Sequence, residues 1–548
     1  MKINKLKYIV NIISGLFLLS SCALINSIPF AKHEPIEIND ATASELIENQ
    51  PWDYSTNFDS PYICIPGEDT GEPAWVEPET IWQRIKSGSQ LDWQIDESRI
   101  DTEFNRLQSN PLYMNTVSQR AERYIYHITE SLDEKGLPLE LALLPIVESA
   151  YDPFAYSHGR ASGMWQFIPS TGRMYKLEQN WWYDGRRDII DSTNAAISLL
   201  ENLNNYYEGD WLLALAAYNA GQGNVNRAIR KNQKAGKPTD FWSLDLPRET
   251  KTYVPKLLAL AKLIDNPTHY GLDLEPIPNS PYFAEIETHS QIDLAQVASM
   301  ASIDIDELYR LNPGFNRWAT SPDGPHRLLI PIESEPLLEQ QISSLDPQSR
   351  LNWKRYKVKS GDSLLLLAKR FNTDANVIKD INSLSSNTIK VGQSLMIPTA
   401  TEQAEHYSLS ANQRLTAIQT NRTGGANSTQ QFHNVRSGDS LWTIARKYNV
   451  TVAKLAHWNG IAPKDPLKPG QKLSIWVNQA GAVQPGQRES VIRKVGYKVR
   501  SGDSLARIAG KFNVGVNDII KWNNVNPKKY LQPGQAITLY VDVTNRVN

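Results

Sequence analysis

Cysteine is nearly absent from this 548-residue chain, which has only Cys22 and Cys64. Two cysteines cannot build a disulfide framework, so stability must come from ordinary cores. The nine histidines show no ligand spacing and no zinc-type cluster is present, so no metal is expected. Net charge is scarce as well: 57 Lys and Arg against 59 Asp and Glu leave −2, which argues against a nucleic-acid partner. Long apolar runs are missing. The best candidate, Ile9 to Leu19, is broken by Asn11, Ser14 and Gly15, and it falls short of the roughly 20 residues of a spanning helix. What remains, 41% hydrophobic and 21% charged residues, is the composition of a globular protein. The length calls for several cores at roughly 100–200 residues per domain.

The first residues have the features of a secretory signal: Lys2, Lys5 and Lys7, then the short apolar run. It ends in Leu19-Ser20-Ser21-Cys22, which resembles a bacterial lipobox. That resemblance implies cleavage after residue 21 and lipid on the Cys22 thiol, a stable membrane anchor when several acyl chains are attached. Residue 23 is Ala rather than Asp, which by the same resemblance implies an outer-membrane lipoprotein facing the periplasm. Residues 22–75 are polar, with Pro29, Pro35, Pro51, Pro61, Pro66 and Pro73, and read as a tether.

Residues 76–275 carry helical patterns. Ala121 to Leu132 is amphipathic, and Gly136 is a plausible stop. Pro138 suits a first helical turn. The run Leu139, Leu141, Ala142, Leu143, Leu144, Ile146, Val147 after it is apolar nearly all round, as a buried central helix would be. Trp211 to Ala217 and Leu257 to Ile264 are similar. Residues 280–340 read as a worn copy of modules that lie further on.

From 356 onward a repeat is plain. Ser-Gly-Asp-Ser recurs at 360–363, 437–440 and 501–504. Leu364, Leu367, Ala368 and Phe371 then match Leu441, Ile444, Ala445 and Tyr448, and Leu505, Ile508, Ala509 and Phe512, each one face of a helix. A second helix ends near Asn382, Asn459 or Asn523, and Gly-Gln precedes a closing strand at Gly392, Gly470 and Gly534. The order is strand, helix, helix, strand. These modules, 356–398, 433–477 and 497–541, resemble LysM domains. The resemblance implies binding of N-acetylglucosamine-containing glycans, with loop residues around Gly361, Gly438 and Gly502 as contacts. Trp458 and Trp522 occupy equivalent places, where the first repeat has Ile381. The stretches 399–431 and 478–494 are polar and read as flexible linkers.

The most specific constellation begins with Glu148-Ser149, at the end of the apolar helix. An acid among Leu143, Leu144, Ile146 and Val147 is costly to ionise, so its pKa should rise, as a general acid requires. Next come Ser157, Gly163-Met164-Trp165-Gln166, then Ala217-Tyr218-Asn219-Ala220-Gly221, then Glu249 with Tyr253 four residues on. The set and its order resemble the soluble lytic transglycosylase domain, which has a lysozyme-like fold. Met164-Trp165 stands where many members have Leu-Met, a variant typical of a membrane-bound subgroup that also carries C-terminal LysM modules. The resemblance implies that Glu148 protonates the glycosidic oxygen between N-acetylmuramic acid and N-acetylglucosamine in peptidoglycan, then accepts a proton from the muramic C6 hydroxyl. It implies that Ser157 and Gln166 contact the sugars, that Tyr218 and Asn219 line the cleft, and that Tyr253 orients Glu148. Ser149 and Glu249 read as structural.

A muramidase would cut the same bond but would need a second carboxylate about 5–9.5 Å from the first. Asp152, Asp184, Asp188 and Asp191 are the candidates. A glycan-binding scaffold without activity would need only the repeats and the anchor. The expectation is an α+β multidomain protein, with a mainly α lysozyme-like catalytic domain followed by small βααβ LysM modules. Its partners are peptidoglycan glycan strands and, through Cys22, a membrane. No cofactor, metal or nucleic acid is expected, and the protein is expected to be a monomer.

Overall fold

The structure, a computed structural model, describes residues 63–66, 73–425, 428–478, 492–512, 514–523, 525–526 and 531–542. The signal, Cys22 and most of the expected tether lie outside them. So do residues 479–491 of the second expected linker. At the end of the tether segment, β1 (Ile63–Pro66) and β2 (Pro73–Val76) form an antiparallel hairpin.

A helical body follows: α1 (Ile81–Ser87), α2 (Ser98–Gln108), α3 (Pro111–Ala121), α4 (Ile125–Asp133), α5 (Leu144–Ser149), α6 (Pro169–Met174), α7 (Ile189–Tyr206), α8 (Trp211–Ala220), α9 (Gln222–Lys234) and α10 (Arg248–Asp265). Side chains start these helices as the sequence suggests. Thr80 and Gln83 close a capping box on α1, and Asp188 and Asp210 accept backbone N–H bonds at the starts of α7 and α8. Helix α8 buries all of Leu213 to Ala217, and α10 buries most of its length around Pro255. Together they form the apolar centre, against which α2, α7 and α9 pack.

The apolar run after Pro138 is not one helix. Leu139–Leu143 is a tighter 3-10 turn, and α5 starts only at Leu144. Pro145 explains the break, because it has no N–H to donate to the carbonyl four residues earlier.

Residues 283–331 repeat the strand–helix–helix–strand order as β3 (Phe283–Glu287), α11 (Leu294–Ala301), α12 (Ile305–Leu311) and β4 (Arg327–Pro331), followed by α13 (Glu335–Ser344). This unit is docked on the helical body by polar bonds. Arg123 pairs with Glu307 at 2.8 Å, Arg327 with Asp188 at 2.8 Å, and Arg187 donates to Asn316 Oδ1 at 2.5 Å.

The three clear repeats are β5 (Asn352–Lys357), α14 (Leu364–Phe371), α15 (Ala375–Ile381) and β6 (Ser394–Thr399), then, beyond α16 (Ala411–Asn421), β7 (Ser428–Asn434), α17 (Leu441–Lys447), α18 (Val452–Trp458) and β8 (Lys472–Asn478), then β9 (Ile492–Lys498), α19 (Leu505–Phe512), α20 (Val516–Asn523) and β10 (Ala536–Asp542). Each pair of strands is antiparallel. The recurrent motifs hold the fold. Asp362, Asp439 and Asp503 each accept the backbone N–H three residues earlier at 2.8 Å, and Ser363, Ser440 and Ser504 each accept an N–H at the start of the first helix. Asn459 is fully buried. Its amide donates to the Leu455 and Ser474 carbonyls, and its oxygen accepts the Ser474 N–H. Asn382, Asn523 and Asn312 make the same three bonds in their own units. The bracket at Asn312 makes 283–331 a fourth unit of the same build. Trp458 packs inside its module's core, so its position carries stability rather than an open sugar platform.

The expected flexible linker 399–431 is instead folded against its neighbours over its described residues, 399–425 and 428–431, a correction. It holds a 3-10 turn at Ala404–His406 and α16 (Ala411–Asn421). Buried Tyr407 donates to Asp293 at 2.9 Å, and the Ala411 N–H to the Asn316 carbonyl at 2.9 Å. Its polar composition misled because the Asn, Gln and Tyr side chains bond to neighbouring units instead of water.

Candidate active site

Glu148 stands in the last turn of α5, which stops abruptly. Ala150 and Tyr151 take positive φ of 50° and 56°, a left-handed pair that costs free energy in non-glycine residues. It is held by the buried Tyr151 ring, whose hydroxyl donates to the Ala142 carbonyl at 2.6 Å. Protein surrounds Glu148 on most sides, and one face stays open. The Tyr253 hydroxyl, from α10, donates to Glu148 Oε1 at 2.6 Å. Desolvation pushes the Glu148 pKa up to about 7; the Tyr253 bond and Lys256 oppose this and the Glu249 charge adds to it. Burial raises the pKa of both Tyr253 and Tyr218, and each also feels the Glu148 charge.

The loop 155–167 is tied to this centre. Ser149 Oγ donates to the Met164 carbonyl at 3.0 Å, and the Tyr218 hydroxyl donates to the Trp165 carbonyl at 2.9 Å. Gly163 has φ +83°, and a Cβ there would lie 2.1 Å from the Arg186 carbonyl oxygen, so only glycine fits. Trp165 is fully buried and donates to Thr193 Oγ1 at 3.0 Å, so the Met164-Trp165 pair is packing. Gln166 donates to the Gly163 carbonyl at 2.7 Å, and Ser157 Oγ accepts the Ala161 N–H at 3.0 Å. Asn219 Oδ1 accepts from Thr250 Oγ1 at 2.8 Å. Ser157, Gln166, Tyr218 and Asn219 all keep partly open faces.

The four candidate second carboxylates are otherwise engaged. Asp184 binds Arg186, Asp188 and Asp191 bind Arg327, and Asp152 Oδ1 accepts the Phe154 N–H. The acid whose charge reaches Glu148 is Glu249, exposed in the first turn of α10. Lys256 was missed in the sequence. Its signal is helical spacing: Glu249, Tyr253 and Lys256 are i, i+4, i+7 on α10, one face turned to Glu148. Among the described residues no group of three or more His, Cys, Asp or Glu could hold a metal, and no helix is long and apolar enough to cross a membrane.

Residues 126–241 match the family Transglycosylase SLT domain. Residues 356–398, 433–476 and 497–539 match the LysM domain, and residues 282–346 match the LysM-like domain of lytic transglycosylase MltD. Among solved structures, the spore cortex-lytic enzyme SleL of Bacillus cereus is 34% identical over 20% of this chain and 22% of its own, with a TM-score of 0.09. An inactive mutant of lytic transglycosylase Slt from Pseudomonas aeruginosa is 22% identical over 28% of this chain and 25% of its own, with a TM-score of 0.21. The membrane-bound lytic murein transglycosylase D of Escherichia coli is 37% identical over 426 residues, 74% of this chain and 89% of that protein. At that identity and coverage, and with these family matches along its length, this chain belongs to the membrane-bound lytic murein transglycosylase D family and is a lytic transglycosylase that acts on peptidoglycan.

Proposed function

We propose that the enzyme cuts the β-1,4 bond between N-acetylmuramic acid and N-acetylglucosamine and leaves a 1,6-anhydro end, with Glu148 as its acid and base. The Glu148 proton goes to the glycosidic oxygen as the bond to the anomeric carbon breaks. The muramic C6 oxygen then bonds to that carbon and its proton returns to Glu148. Atoms balance without water, and the carboxyl is regenerated. The observation that carries this reading is Glu148 itself, a desolvated acid of pKa about 7, oriented by Tyr253 at 2.6 Å. Such a group holds a proton near neutrality and can take one back. Asp152, Asp184, Asp188 and Asp191 are engaged elsewhere and Glu249, the acid whose charge reaches Glu148, is solvent-exposed, which supports a mechanism that needs no second carboxylate.

Ser157 and Gln166 contact the N-acetyl and hydroxyl groups, Tyr218 and Asn219 position the reacting ring, and the repeats raise residence on the wall through avidity. A lipid on Cys22 holds the enzyme, as a monomer, at the outer membrane facing the periplasm. Neither a cofactor nor a nucleic acid takes part. Mass spectrometry of digests of purified sacculi tests the reaction. Anhydro ends, lighter than the hydrated product by one water and absent with Glu148→Gln, are expected. Hydrated reducing ends would overturn the reading in favour of a muramidase.

A further inference from the structure

The second repeat touches the catalytic body at one charged point. Asp465, in the loop between α18 and β8, accepts the Tyr156 hydroxyl on both carboxylate oxygens, at 2.9 and 3.0 Å, and pairs with Arg160 Nε at 2.7 Å. Its side chain is 13% exposed. Tyr156 and Arg160 flank Ser157, and the loop that carries them closes through the pairings of Tyr156 with Ser162 and Ser162 with Phe167. Gln166 lies on the same loop, and Ser149 ties it to the helix of Glu148.

The ordered segment before the second repeat holds this arrangement. On α16 the Arg414 guanidinium lies 4.4 Å over the Phe154 ring, just ahead of the loop. One turn and more along, Gln419 donates to Asn459 Oδ1 and to the Lys472 carbonyl, and Arg422 to the His457 carbonyl, all in the second repeat. Gly460 is pressed so closely on Ile418 that a Cβ would come within 2.7 Å of it. One helix therefore grips the catalytic body at one end and the repeat at the other. Glu148, Ser157, Gln166, Tyr218 and Asn219 keep open faces with the repeat in place, so the docking does not cover them.

From this geometry we propose that the second repeat is a docked accessory of the catalytic body, in which Asp465 clasps Tyr156 and Arg160 and positions the 155–167 loop to receive the glycan. Asp465 and Arg160 are positioning residues. The inference rests on the reading of Ser157 and Gln166 as glycan contacts. A plainer role for Asp465 exists, because its carboxylate also accepts the Ala462 N–H within its own turn at 2.8 Å. Arg160→Ala leaves that turn and the Tyr156 bonds intact and removes the ion pair of the clasp, while Arg160→Asp sets a like charge against Asp465 and opposes the whole contact.

The test compares full-length wild type, Arg160→Ala, Arg160→Asp and the swap Arg160→Asp with Asp465→Arg, on a soluble uncrosslinked glycan and by hydrogen exchange of the 155–167 peptide. In Arg160→Ala, KM is expected to rise up to about fivefold with kcat within about twofold, the scale of a partly exposed ion pair. Exchange across 155–167 speeds up, wild-type KM climbs with salt while that of Arg160→Ala does not, and the swap restores KM. Unchanged exchange in both Arg160→Ala and Arg160→Asp would overturn the clasp. Faster exchange with unchanged KM would leave the clasp but remove Ser157 and Gln166 as contacts, and would overturn its positioning role. A rise in kcat/KM would overturn it too, since the repeat would then be a cover.

Discussion

Replacing Glu148 with Gln should abolish activity and make the protein more stable, a pairing that separates chemistry from unfolding. The amide keeps the shape but exchanges no proton, and loss of acid–base catalysis alone predicts a fall of about 10² to 10⁴. The stability gain follows from the same environment. The folded-state pKa of Glu148 is raised from 4.5 to about 7. Below pH 4.5 the carboxyl is protonated whether the chain is folded or not, so the two proteins differ little. As pH rises from 4.5 to 7 the unfolded chain ionises first, and the folded state bears a growing penalty that is constant above 7. At 1.36 kcal/mol per pH unit the ceiling is roughly 3 kcal/mol, and the open face of the side chain brings the expectation to roughly 1–3 kcal/mol. At pH 8 the variant's catalytic-domain transition in calorimetry should therefore lie higher, at about 2–4 °C per kcal/mol for a domain of this size. At pH 4 the two should nearly coincide. Because Glu148 must be protonated to donate, wild-type turnover of sacculi should also fall about tenfold per pH unit above about 7. A variant no more stable than wild type at pH 8, or an alkaline limb far from 7, would refute the account of a desolvated acid.

Tyr253→Phe removes the bond that favours the ionised carboxylate. Glu148 should hold its proton to higher pH, the alkaline limb should move up, and kcat should fall about tenfold from lost orientation; a pH–rate profile on soluble glycan reads both. Asn459→Ala leaves the Ser474 N–H and two carbonyls unpaired inside the second repeat and removes one acceptor of Gln419, a cost of about 3 kcal/mol that should appear as faster hydrogen exchange across 452–478 and at the C-terminal end of α16. Deleting residues 356–548 should weaken co-sedimentation with sacculi on the order of 10²-fold through lost avidity, with the same bond still cut. Full binding by the truncated protein would place glycan recognition outside the repeats.

The local code was legible because it is short-range. Ser-Gly-Asp-Ser specifies a turn with positive φ at glycine and a serine cap, and the i, i+3, i+4, i+7 faces specify which side of each helix is buried. Neither depends on distant residues. Glu148 stood out for a similar reason, as an acid closing an apolar run. Other features depended on contacts far apart in the chain. Pro145 divides that run and sets the turn on which Glu148 sits, but the left-handed Ala150-Tyr151 pair survives only because the Tyr151 ring is buried by the surrounding helices. Asp152, Asp184, Asp188 and Asp191 looked alike in the sequence, and only their arginine and backbone partners distinguish them from a catalytic acid. The segment 399–431 has the composition of a linker because composition reports what a side chain prefers in water. Its residues 399–425 are ordered because the folded units present buried polar groups at Asp293, Asn316 and Asn459 that Tyr407, Ala411 and Gln419 satisfy. Which polar residue meets which partner is a property of the assembled surfaces, and tertiary structure alone decided it.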